Sequence, residues 1–147
     1  MHASKRGLAS ALLMVVAVIG AVGCGGGPSG PTVTRSVTTR TGSLTAGFGV
    51  FESFTTNTSG TVRLTLNWNN SANDLDMAVV PNACQGVESA LLGIGSGCAI
   101  VANAATLAKP ETLSFEASTN VVYKIAIGNL GRTSDTYTLT IDFPLAQ

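Results

Sequence analysis

The stretch "NDLDMAVV" sets Asp74 and Asp76 two residues apart within an alternating apolar pattern. On a strand this spacing turns both carboxylates to one face and sends Leu75, Met77 and Val79 to the other. Calcium takes about six to eight oxygens, and Asn73, with Asn69, Asn70 and loop carbonyls, could add to the two acids. That makes Asp74, Asp76 and Asn73 a candidate calcium site. The simpler alternative is that the acids secure the preceding loop by accepting backbone amide protons, as Asx side chains do. A third chemistry, the acid and base of a glycosidase held about 5 to 9 Å apart, needs a deep cleft that nothing nearby announces.

Other reactive constellations are missing. The single histidine is His2, so a serine triad lacks its general base once the N-terminal segment is removed. "GIGSG", residues 93–97, has the glycines of a phosphate loop, but a strand-like or bridged segment follows where a dinucleotide fingerprint needs a helix. Trp68, Phe48, Phe51 and Phe54 could stack on a sugar, yet Trp68 shares its face with Val62, Leu64 and Leu66 and reads as core. The chain is expected not to be an enzyme.

The three cysteines divide into one and two. Cys24 follows Lys5, Arg6 and the 15-residue, largely apolar run 8–22, the layout of a bacterial export signal. A spanning helix needs about 20 apolar residues, and this run is shorter and leads into glycine and proline. The sequence "AVGC" resembles the lipobox of bacterial lipoproteins, which implies cleavage before Cys24 and acylation of it; Ala21 stands where leucine is usual. Several acyl chains on one residue bury enough methylenes, at about 0.8 kcal/mol each, for lasting membrane attachment. Residues 1–23 are therefore expected to be a cleaved signal, 24–31 a lipidated cysteine with a flexible tether, and 32–147 the folded domain. Gly25 stands where an aspartate often signals retention in the inner membrane, so the outer membrane is the expected destination.

In an oxidising compartment Cys84 and Cys98, with thirteen residues between them, are expected to form a disulfide. Closing such a loop contributes about 3 kcal/mol. A two-thiolate metal site would need further soft or imidazole ligands, which the mature chain does not have. Without Lys5 and Arg6, six basic residues face eight acids, a net charge of −2, with no basic patch for nucleic acid.

The elements that must position these residues read as strands. Val62, Leu64, Leu66 and Trp68 alternate with polar residues in "GTVRLTLNW", as a half-buried antiparallel strand requires. The same period holds for Leu113, Phe115 and Ala117, for Tyr123, Ile125 and Ile127, and for Tyr137, Leu139, Ile141 and Phe143. Further strands are expected at 32–39, within the glycine-broken 46–55, at 74–80 and around 99–102, with at most a helical turn at 86–90. Turn signals such as "NNSAND", "AKPE" and "GNLGRTSD" separate them. The expected fold is all-β, a jelly-roll-like antiparallel β-sandwich of about eight strands.

The order of "GTVRLTLNW", "NDLDMAVV", "ETLSFEASTNVVYKIAIGN" and "DTYTLTIDF" resembles the bacterial pre-peptidase C-terminal domain over roughly residues 46–143. That resemblance implies a small jelly-roll sandwich that accompanies secreted peptidases. The family usually rides behind a catalytic domain, whereas here a lipid anchor and the sandwich are expected to account for the whole chain. Clostridial collagenase members bind calcium through an acidic linker before the first strand, and the matching stretch here, 32–53, offers only Glu52.

Together these features lead us to expect a lipid-anchored envelope module, held to the membrane through Cys24, that binds or adheres to protein or polysaccharide. The alternative is an accessory domain assisting a separately encoded secreted peptidase. Calcium is the one cofactor the residues admit.

Overall fold

The computed structural model describes residues 33–145. The expected signal, Cys24 and the tether lie outside the described residues. Eight strands and one short helix follow in order: β1 (Arg35–Leu44), β2 (Gly49–Thr55), β3 (Gly60–Trp68), β4 (Leu75–Pro81), α1 (Val87–Leu92), β5 (Ala102–Ala104), β6 (Glu111–Ala117), β7 (Val122–Asn129) and β8 (Asp135–Pro144). They form two four-stranded antiparallel sheets, β1-β8-β3-β6 and β2-β7-β4-β5. Every connection but β4 to β5 crosses between sheets, and the interleaved order is that of a jelly roll.

Period two is the cause. In β3, Val62, Leu64, Leu66 and Trp68 are buried while Arg63 and Asn67 are exposed. Register then stacks apolar rows across the sheet: Leu64 lies between Leu113 and Ile141, and Leu66 pairs with Leu139. Facing them from the other sheet are Leu75, Met77, Val79, Ile125 and Ile127, all fully buried. Each such side chain contributes roughly 1.5–3 kcal/mol by leaving water. Phe54, Phe115 and Tyr123 close one end with ring centroids 5.1 to 6.1 Å apart. The Trp68 indole N–H donates to the Asn73 carbonyl at 3.0 Å, so the ring is core and not a sugar platform.

The second sheet is buried on both faces near its centre. On the outer face Val80 and Ala126 pack with Cys84, Ala90 and Cys98, which belong to the segment carrying α1. This explains why Ala78, Val79 and Val80 are all buried although neighbours on a strand point to opposite sides. A six-residue helix is too short to hold itself in water. Here the Cys84–Cys98 disulfide encloses it, and Gly93, in the left-handed conformation at φ 65°, ends it. Gly93, Gly95 and Gly97 all have positive φ, which makes "GIGSG" a helix terminus and turn rather than a phosphate loop.

Candidate functional site

The helix walls a recess on the second sheet. Asp76, Gly128 and Gly49 form one row across β4, β7 and β2, since Asp76 pairs with Gly128 and Gly128 with Gly49. Two of the three positions carry no side chain. A Cβ on Gly49 would collide with Val87 Cγ1, and one on Gly128 with Leu91 Cδ1, so α1 lies directly against the glycine backbone. Beside this contact a groove of ≈ 380 Å³ opens, with Asp76 in it and Glu88 on the helix wall. Its rim is apolar: Phe48, Leu92 and Leu130 are 68%, 60% and 60% exposed.

The electrostatics of the groove are one-sided. Among the described residues the ion pairs all involve Asp142, so neither Asp76 nor Glu88 has a cationic partner. Burial pushes the Asp76 carboxyl up to about 6, with further repulsion from Asp74 and Glu111. Asn129 also lines the groove, but its amide donates to the Leu44 and Thr133 carbonyls and accepts from the Gly131 amide. Serine, threonine, cysteine, lysine and arginine are absent from the lining. The groove therefore holds acceptors and apolar walls, with no hydroxyl or thiol to act as a nucleophile.

The residues expected to hold calcium are divided between different tasks. Asn73 Oδ1 accepts from the Thr133 amide and hydroxyl, while its Nδ2 donates to the Thr133 carbonyl and to Asp135. Its side chain is fully engaged and does not fit as a metal ligand. Asp74 precedes β4, its carbonyl accepting from the Leu130 amide, and its Oδ1 is buried without a partner. Asp76 lines the groove. Among the described residues no three acidic, cysteine or histidine side chains stand close enough to share an ion.

The loop-anchoring role considered for Asp74 and Asp76 belongs instead to Asp135. Its Oδ1 accepts from the backbone amides of Asn69 and Thr136 at 3.1 and 2.8 Å, and its Oδ2 from Asn70 N and Asn73 Nδ2 at 3.1 and 3.0 Å. Burial alone would raise its pKa, but these donors outweigh burial and hold it below the usual carboxylate range. An aspartate opening a strand after "GRTS" gives no hint of this, because three of its four donors lie more than sixty residues away. Glu111 was missed for a similar reason. It shares the inward face of β6 with Phe115, is 1% exposed, and accepts from the Thr106 amide and hydroxyl through Oε1. Its Oε2 has no partner, and burial raises its pKa despite the Thr106 bonds.

No family model matches the sequence, and no curated protein matches it. Among solved structures the chain is similar to the Yersinia pseudotuberculosis-derived mitogen, with a TM-score of 0.54 at 14% identity over 78% of this chain and 89% of that one. It is also similar to PliG of Aeromonas hydrophila, a periplasmic inhibitor of g-type lysozyme, with a TM-score of 0.48 at 10% identity over 71% and 83% of the two chains. At such identity the likeness to the mitogen shows a shared fold and nothing more.

Proposed function

We propose that this chain is a non-catalytic binding module, held by an acylated Cys24 at the bacterial envelope, on the outer membrane rather than the inner, and that it captures a protein or polysaccharide in the groove beside α1. One observation carries this reading: the sheet gives up two side chains in the Asp76–Gly128–Gly49 row, and α1 rests on the bared backbone to wall a recess with an exposed apolar rim. Recesses of about 300–1,000 Å³ with apolar walls and few polar groups are the usual form of binding sites. The lining offers no hydroxyl, thiol, imidazole or amine, which favours binding over turnover. The lipobox resemblance at "AVGC" supports the anchor.

The test has two arms. Mass spectrometry of the exported chain should find Cys24 acylated, and Cys24→Ala should release the protein from membranes. A photo-crosslinking residue at Leu92, on the groove rim, should capture an envelope component that the same residue at Val37, exposed on the other sheet, does not. A bare Cys24 would overturn the anchor; identical capture at both positions would overturn the groove.

A further inference from the structure

We infer that the groove takes the lysine or arginine side chain of a protein segment, with the charged head between Asp76 and Glu88 and the alkyl stem along Phe48, Leu91 and Leu130. This rests on the binding reading above and names its ligand. The lining supplies the chemistry. Once the Asn129 amide is consumed by its own bonds, the polar side chains left are two carboxylates, which when ionised accept hydrogen bonds and donate none. A sugar hydroxyl both donates and accepts, and a carbohydrate site needs donors to meet its oxygens. Ammonium and guanidinium groups donate only. They match a recess whose polar side chains are acceptors alone.

Charge points the same way. Asp74 and Glu111 raise the negative potential at Asp76, and the ion pairs among the described residues leave this cluster without a counter-ion. A partly desolvated carboxylate attracts a cation more strongly than one in bulk water. Long cationic side chains bury their methylenes against apolar surface while the head stays polar, as these walls and these two acids would require. The exposed rim residues Phe48, Leu92 and Leu130 would then cover the apolar neighbours of the basic residue in the partner.

The experiment uses the full-length chain and three short capped peptides, alike except for a central lysine, arginine or norleucine flanked by leucines, titrated at pH 7.5 while backbone amide resonances are followed. The lysine and arginine peptides should shift Gly47, Gly49 and Gly128. Affinity should fall about ten-fold or more for norleucine, and equally for the Asp76→Asn/Glu88→Gln variant, a difference of about 1.4 kcal/mol or more. A melting curve of that variant confirms that it is folded. Equal affinity for norleucine, or undiminished affinity in the variant, overturns the inference while the groove reading stands. Chitotriose shifting the same glycines where the peptides do not has the same meaning. If none of these probes moves those glycines, both readings fall.

Discussion

Gly49 and Gly128 face one another across the β2–β7 ladder, and Val87 and Leu91 of α1 occupy the space their side chains would need. Restoring one methyl group tests how tightly helix and sheet fit. Gly128→Ala should push Leu91 away and lower stability by about 1–3 kcal/mol, the usual cost of overpacking. Chemical denaturation gives the magnitude. Faster hydrogen exchange at the amides of Ala90 and Gly93, which hold the helix and its end, would show that the displacement is local.

Asp76 should cost the protein stability at neutral pH. Its folded pKa of about 6 lies above the ordinary aspartate value of 3.8, so between these values the folded state binds more protons than the unfolded state. Stability therefore falls as pH rises through that window, and stays lower above it. Asp76→Asn should flatten this decline and raise the melting temperature at pH 7. Glu111 acts with the same sign, so some slope should remain. Melting temperatures across pH 4 to 8, with and without the substitution, check this.

Asp135 should behave in the opposite sense. Its pKa is held below the usual range, so its contribution is present at neutral pH and is lost as pH falls through that lowered value. Asp135→Ala takes the acceptor from the amides of Asn69, Asn70 and Thr136 and one of the two bonds donated by Asn73 Nδ2, and should cost about 3 kcal/mol. The loss should show in equilibrium unfolding at pH 7 and shrink in acid.

Leu66 is fully buried, pairs with Leu139 and belongs to the layer between the sheets. Leu66→Ala should destabilise by about 3 kcal/mol through lost burial and the cavity left behind. Urea unfolding followed by Trp68 fluorescence reads it directly.

Much of the sandwich was legible because one face of each central strand is buried. β3, β6, β7 and β8 announced themselves through period two. The strand expected at 32–39 runs from Arg35 to Leu44, since an edge strand with a single buried residue carries no alternation to mark its ends. The segment at 99–102 pairs three residues later, at Ala102–Ala104, leaving Ile100 and Val101 outside the ladder. α1 was expected as a turn at most; packing on the glycine row and the enclosing disulfide make it a helix. The groove was not legible, because its floor and wall come from β2, β4, β7 and α1, which only the jelly-roll crossing brings together. The spacing from Asp74 singles out Asp76, but only the fold shows that it lines a recess together with Glu88.

The helix that walls the recess has six residues, no side-chain cap, and both of its flanks tied by Cys84 and Cys98. Sheet and recess are therefore held by different means. Burial between the layers holds the sheets together, whereas the wall also depends on the Cys84–Cys98 bond. Reducing the Cys84–Cys98 bond should therefore loosen the wall of the recess while the hydrophobic layer between the sheets stays in place.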